Sequence, residues 1–383
     1  MSQGGVRCLV EVAGREETLS STYWREVNMK KMRWLALLLA LVMVASACGS
    51  DDDTTEDSSG DTDTEESSEE ISDDGEEEEA MEEEGEEGET AIETQSSDLT
   101  FYMITHSDDG PFWSVLKRGA EAAAEDVGVE MVWQGSNNDA NVQAEFIDAA
   151  VAAGADGIGA SLPNVDAVRP GLEAAVAAGI PVYTINSGVN DYQDLGATTH
   201  VGQTEVIAGE GAGAFFNEAG ATKILCGRQE PDNGALIERC DGLANTFEGE
   251  VVSEFMDLDA DQTAQEAAIN AALAADPDID GFMGVGPVIT MSGLRAADAL
   301  GRELTIGGFD ITPELLDAVE AGDVLFTVDQ QQYLQGYIPI ILMFLEATNS
   351  NTLGGGLPIL TGPGFVTADN ATSVKTLVEA GTR

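Results

Sequence analysis

From Leu99 onward the chain repeats one pattern. A short apolar run is followed by a polar break and then by an alanine-rich stretch of helical character. The apolar runs in the first half are LTFYMIT (99–105), VEMVWQ (129–134), GIGAS (157–161) and IPVYTI (180–185). Those in the second half are TKILC (222–226), EVVSEFMDL (250–258), DGFMGV (280–285), LTIGGFD (304–310) and VLFTVD (324–329). Stretches such as VLKRGAEAAAEDVG and DAAVAAGADG lie between them. Runs of this length and β-rich content read as strands. Their alternation with helices predicts an α/β protein with parallel sheets built from right-handed βαβ units. The roughly 285 residues after position 98 suffice for two such lobes.

In open α/β sheets ligands lie outside the carboxyl ends of the strands, so the residues that follow each apolar run are the candidates for chemistry. The first run leads into HSDDGPFWSV. Pro111 suits the first turn of a helix, and Asp109 can cap that helix or face the cleft. Phe112 and Trp113 then stand at the helix start, either as core aromatics or as a flat surface for a ligand ring. Ser161 follows the third run, and Asn186, Ser187 and Gly188 follow the fourth. Each alone is a turn residue; together they are short polar groups able to bond hydroxyls. In the second half, Arg239 lies early in the helix ALIERCDGL, from which it can reach the same crevice. Asp310 ends IGGFD. The Thr312–Pro313 pair beside it already supplies a cap and first turn, which leaves Asp310 free for a ligand. Gln330 ends FTVDQ, with Asp329 a weaker candidate. Cys226 and Cys240 could pair outside the cytoplasm, or stand too far apart to do so.

The amino-terminal region changes the picture of where such a domain works. Lys30, Lys31 and Arg33 precede an uncharged run from Trp34 to Val44, and Ala45, Ser46 and Ala47 precede Cys48. A basic start, a short apolar core and small residues form an export signal, too short for a membrane span. The small residues before Cys48 resemble a bacterial lipobox, which implies a lipid-modified cysteine as the first mature residue. Translation is expected to begin at Met29, leaving residues 1–28 as an extension outside the protein and residues 29–47 as a signal peptide. Residues 49–98 hold 25 Asp and Glu and no Lys or Arg. Such a segment buries too little apolar surface to offset its ordering entropy and is expected to form a disordered, extended tether from residue 48 to 98. Beyond it, 42 acids face ten Lys and Arg, a net charge of −32. That balance excludes nucleic acid as a partner, because phosphate contacts need basic side chains.

The ordered set GPFW, IPVYTINSG, ERCDGL, DPDIDGF, GGFDITPE and FTVDQQQ resembles the type I periplasmic binding proteins, in their ribose-binding-protein-like group. The resemblance implies two similar doubly wound parallel-sheet lobes joined by a three-segment hinge. Lobe one would hold 99–203 with 331–350, and lobe two 204–330 with 351–383. Crossings are expected near Gly202–Thr204, Gln330–Gln331 and the loop after Thr348. The family's sugar contacts map onto Asp109, Phe112, Trp113, Ser161, Asn186, Ser187, Arg239, Gly286, Asp310 and Gln330. Phe112, Arg239, Asp310 and Gln330 match in residue type. The Asp-Arg pair typical of ribose binders reads Asn186-Ser187, and the family's Asn after DGFMGV is Gly286. Both departures remove polar reach and point away from ribose itself. An ionised Asp310 accepting hydroxyl protons, a guanidinium fork from Arg239 and an aromatic face suit a polyol ring.

The resemblance further implies a monomer, without cofactor or metal, that passes a small sugar or polyol to ABC permease subunits and their cytoplasmic ATPase. Its lipid anchor would hold it to the cell membrane outside the cytoplasm, on the outer face or in the periplasm. Rival readings are fewer. An enzyme finds little support: the chain has two histidines, His106 and His200, no G-x-S-x-G elbow and no Walker loop. GVGPVI lacks the third glycine of a dinucleotide fingerprint. A repressor of the lactose type would need a DNA-binding motif where the export signal stands. A sensor lipoprotein that presents a sugar, nucleoside or furanose-like signal to a receptor stays open. His200, beside the first crossing, reads as structural.

Overall fold

The computed structural model describes residues 98–108, 110–256 and 262–383. Residues 1–28, the signal peptide, Cys48, the tether up to residue 97, and Asp109 lie outside the described residues. In chain order the first half gives β1 (Thr100–Thr105), α1 (Gly110–Val127), β2 (Glu130–Gly135), α2 (Ala140–Ala153), β3 (Gly157–Ser161), α3 (Val165–Ala177), β4 (Val182–Asn186) and β5 (Thr199–Gly202). The second half gives α4 (Glu205–Ala219), β6 (Lys223–Arg228), α5 (Gly234–Thr246), β7 (Glu250–Phe255), α6 (Gln262–Ala275), β8 (Gly281–Gly284), α7 (Pro287–Leu300), β9 (Thr305–Phe309), α8 (Pro313–Ala321) and β10 (Phe326–Asp329). The chain ends with α9 (Gln332–Asn349), β11 (Ile359–Leu360), β12 (Gly364–Val366) and α10 (Ala371–Glu379).

These strands form two six-stranded sheets in the orders β11-β5-β4-β3-β1-β2 and β12-β10-β9-β8-β6-β7. The two orders are the same permutation, so each lobe repeats the other. Every pairing is parallel except that of β12 with β10. The inner strands β3, β4, β8 and β10 are buried along their whole length. That is why they read as continuous apolar runs rather than as alternating ones. The outer strands β2 and β7 are more exposed. Between β1 and β3, and again between β6 and β8, the strand order reverses direction. Those two points open a crevice at the carboxyl ends.

Local sequence signals place the helix ends. Asp139 caps α2 by accepting from the Asn141 and Val142 amides at 2.9 and 3.2 Å, and Gly154 closes it in the left-handed region. Asn233 caps α5 through the Ala235 amide at 3.0 Å. Thr312 caps α8, accepting from Leu315 at 3.2 Å, so Asp310 is spared that task.

The third crossing differs from the expected loop after Thr348. α9 runs to Asn349, and residues 350–360 stay with the first lobe because β11 pairs with β5 through Ile359–Val201 and Leu360–Gly202. The chain changes sheet only after Leu360, between β11 and β12. The lobe boundary drawn at residue 351 therefore moves to about residue 361. β5 would otherwise leave a row of unpaired backbone groups, and β11 covers it.

Each lobe contains one helix pair brought to near backbone contact by glycines. In the first, α9 meets α1, where a Cβ on Gly336 would collide with the Leu116 carbonyl and one on Gly119 with that of Tyr333. In the second, α4 meets α5 through Gly209 and Gly242. Interiors packed this tightly do not absorb an added methyl without moving backbone. Gly336→Ala should therefore cost about 1–3 kcal/mol of stability. A denaturant midpoint equal to that of the unaltered protein would contradict the close approach.

Candidate functional site

A cavity of about 410 Å³ lies between the two sets of strand ends. Its first-lobe wall begins with His106 and the start of α1. Phe112 and Trp113 both line it, at 5.0 Å and nearly perpendicular to one another. Trp113 also meets His106 edge to face at 4.7 Å. One aromatic could have been core and the other ligand-facing; instead Trp113 is almost fully buried yet still contributes wall, and Phe112 is half-buried.

The polar floor is a chain of side chains that crosses from one lobe to the other. Asn186, at the end of β4, donates from Nδ2 to Gln330 Oε1 at 3.4 Å. Gln330 donates from Nε2 to Asp310 Oδ1 at 2.6 Å. Gln335, in the first turn of α9, also donates to Gln330 Oε1, at 2.9 Å. Asn186 ends β4 and Asp310 follows β9, equivalent strands of the two sheets, and both hold positive φ, 60° and 63°. Asn and Asp tolerate that region better than other side chains bearing a Cβ. The same residue types thus serve the turn and face the cleft.

Arg239 reaches the cavity from α5 and is 2 % exposed. Much of its donor fork is already occupied. Nε donates to Glu205 Oε2 at 2.7 Å, NH2 to Glu205 Oε1 at 3.3 Å and NH1 to the Val285 carbonyl at 2.8 Å. NH1 lies 3.7 Å from Asp310 Oδ2, and the guanidinium stacks over Phe309 at 4.6 Å. Burial opposes the charged form of Arg239, but Glu205 and Asp310 outweigh it and hold the group cationic. Asp310 shows the opposite balance: burial pushes its carboxyl up to about 6, against the pull of Arg239 and the Gln330 hydrogen bond. Burial also lowers His106, although Glu230 at 3.8 Å draws it upward.

Two expected site residues lie off the cavity. Ser161 does not line the cavity. Its Oγ accepts from the His106 amide at 2.9 Å and contacts His106 Nδ1 at 2.8 Å, so it orients His106 from behind. Ser187 is buried away from the cavity, where its carbonyl accepts from Leu162 at 3.1 Å. Asp109 lies outside the described residues. Gly286 does line the cavity, and its missing side chain leaves room for another polar group. A Cβ there would meet Gln229 Nε2 at 2.6 Å. Gln229, after β6, supplies the amide that Gly286 lacks, and its Oε1 has no hydrogen-bond partner among the described residues.

Other lining residues were missed altogether. Asn137 and Asn138 follow β2, and Glu230 and Asn233 follow β6. The rule that ligands sit beyond strand ends pointed to both loops. His200 takes no part: it is buried against Thr184 Oγ at 2.9 Å, with its imidazole pushed down to about 3 by burial. Cys226 and Cys240 form a disulfide with Cα atoms 6.0 Å apart, tying β6 to α5 one residue from Arg239. The lobes also touch at the cleft rim. Asn190 donates to Glu238 Oε1 at 2.7 Å, and the Gly234 amide donates to the Pro163 carbonyl at 3.2 Å. Among the described residues no three His, Cys, Asp or Glu side chains gather to hold a metal ion.

Two mirrored lobes with a polar chain running across their cleft are the architecture of a ligand trap, and comparison with known proteins agrees. The periplasmic binding protein domain family matches residues 101–349. The chain belongs to that family, in its ribose-binding-protein-like type I branch. It is similar to the xylose/arabinose-binding protein XylF of Sulfolobus acidocaldarius, 26 % identical over 70 % of this chain and 71 % of that one. The ribose import binding protein RbsB of Bacillus subtilis is 25 % identical over 62 % of this chain and 78 % of its own. A carbohydrate transporter from Acidothermus cellulolyticus, solved with myo-inositol, is 35 % identical, with a TM-score of 0.72 over 75 % of this chain and all of that one. These relatives are named as binding and transport proteins, and this periplasmic binding protein is not an enzyme.

The raised Asp310 carboxyl gives the trap a pH signature. A ligand hydroxyl donating to Asp310 would require it ionised, so below its value of about 6 a proton would have to leave before binding. Affinity should be level above pH 7 and fall by about tenfold between pH 7 and pH 5. Calorimetric titrations across that range would show it; a flat profile would mean Asp310 is not an ionised acceptor.

Proposed function

We propose that the protein is the extracytoplasmic capture component of a sugar-importing ABC transporter. It would be lipid-anchored through Cys48, act as a monomer and deliver its ligand to permease subunits driven by a cytoplasmic ATPase. The ligand is one monosaccharide or cyclic polyol held between the lobes. The observation that carries this reading is the Asn186–Gln330–Asp310 chain, which offers acceptors and donors from both lobes to one cavity. A polyol needs such a floor because each buried hydroxyl left unpaired costs about 1–3 kcal/mol. Phe112 and Trp113 offer the apolar face that a ring's C–H side requires. The ligand-bound relative holds myo-inositol, and others are named for xylose, arabinose, ribose and xylitol. Uncharged molecules of about this size, dense in hydroxyls, are the class this cavity suits. By bridging both lobes, the ligand would favour the closed arrangement over an open one.

A thermal-shift panel of pentoses, hexoses and cyclitols identifies the ligand through the rise in melting temperature that binding alone produces. With that ligand, Asp310→Ala should weaken binding by about 2–5 kcal/mol, as when one member of a desolvated charged pair is removed. Unchanged affinity in calorimetry would reject the site. Deleting the gene should abolish uptake of the same ligand; normal uptake with lost signalling would instead favour a sensor.

A further inference from the structure

Glu205 contributes no surface to the cavity, yet it governs the electrostatics there. It is the first residue of α4, just past the first crossing between lobes, and is 2 % exposed. Both its carboxylate oxygens take hydrogen bonds from Arg239, and Oε2 also accepts from Gln203 Nε2 at 2.8 Å. Among the described residues Arg239 is the only Lys or Arg that lines the cavity. The other ionisable lining groups among the described residues are Asp310, Glu230 and His106. With Glu205 in contact, the single positive charge at the cleft is matched before any ligand arrives. Asp310 and Glu230 are then left in excess.

We propose that Glu205 is a specificity-determining residue. By holding and neutralising Arg239 from behind, it restricts the cleft to uncharged polyols and excludes their carboxylate counterparts. This rests on the reading of the cavity as a polyol site. A free guanidinium is the side chain best suited to a carboxylate, through two parallel hydrogen bonds. Here the Nε and NH2 edge that would make that fork is turned onto Glu205. A ligand carboxylate would be left with the remaining N–H groups of NH1 and NH2, beside the Asp310 carboxylate 3.7 Å from NH1. Removing the Glu205 charge while keeping its shape should release the fork. The variant should then gain a ligand class that the unaltered protein rejects, which no loss of fold can imitate.

D-Xylose and D-glucuronate provide the probe pair: they share ring stereochemistry and differ by one carboxylate. Calorimetry should show that the unaltered protein prefers the neutral sugar. Glu205→Gln should gain at least about tenfold in affinity for D-glucuronate relative to D-xylose, the scale of one hydrogen bond to a charged group. Glu205→Asp, which keeps the charge, should retain the exclusion. Parallel losses for both sugars in Glu205→Gln would mark Glu205 as merely structural and overturn the proposal. If Glu205→Gln does not fold, the unaltered protein decides: binding D-glucuronate as tightly as D-xylose overturns it. If no neutral polyol binds the unaltered protein, the polyol reading fails separately. A D-glucuronate response that appears only in Glu205→Gln would still uphold the role of Glu205.

Discussion

Everything in the cleft depends on one side-chain amide placed where the chain crosses from lobe to lobe. Gln330 is 1 % exposed and lies between β10 of the second sheet and α9 of the first lobe. Its oxygen accepts from Asn186 and Gln335 on the first-lobe side, and its nitrogen donates to Asp310 on the second. Its backbone carbonyl accepts from Thr361 Oγ1 at 2.7 Å, at the third crossing. A buried amide in such a network cannot change one partner without leaving another unpaired, which is costly away from water. The arrangement couples the relative position of the lobes to the geometry of the binding floor.

Behind that floor lies a layer of buried charge. Arg239, Glu205 and Asp310 are each nine-tenths buried, and none could be charged there alone. Glu205 and Gln203 link this layer to the first crossing. The disulfide between Cys226 and Cys240 fixes the helix that carries Arg239. Three independent devices thus hold one guanidinium: an ion pair, a carbonyl contact at Val285 and a covalent tie next door. Such ties hold the guanidinium in one place relative to its own lobe.

The fold was legible because buried parallel strands must be apolar throughout and helices between them must be long enough to cross back. Three short strands at the sheet edges and crossings, β5, β11 and β12, escaped notice. β5 reads THVG, and β11 and β12 hold two and three residues; none carries a run of its own, and each owes its place to the strand beside it. The same limit explains the misplaced third crossing. Asn186, Asp310 and Gln330, which line the cavity, were named because strand ends were read for polar groups, and Arg239 because its helix can reach the same crevice. Ser161 and Ser187 met the same criterion, but their side chains lie beneath the wall, and linear order does not tell front from back. Gln229 and Glu230 were overlooked because attention fell on the helix after β6 and not on the loop before it. Gly286 looked like a lost contact, whereas Gln229 occupies the space it vacates.

The most direct test of the shared floor is a double-mutant cycle between Asn186 and Asp310, read as affinity for the identified ligand. The two residues come from different lobes and meet only through Gln330. If the chain acts as one unit, Asn186→Ala and Asp310→Ala should be non-additive by about 0.5–3 kcal/mol. Effects that add to within about 0.5 kcal/mol would mean that the two strand ends bind independently, and the account of a single floor spanning both lobes would be contradicted.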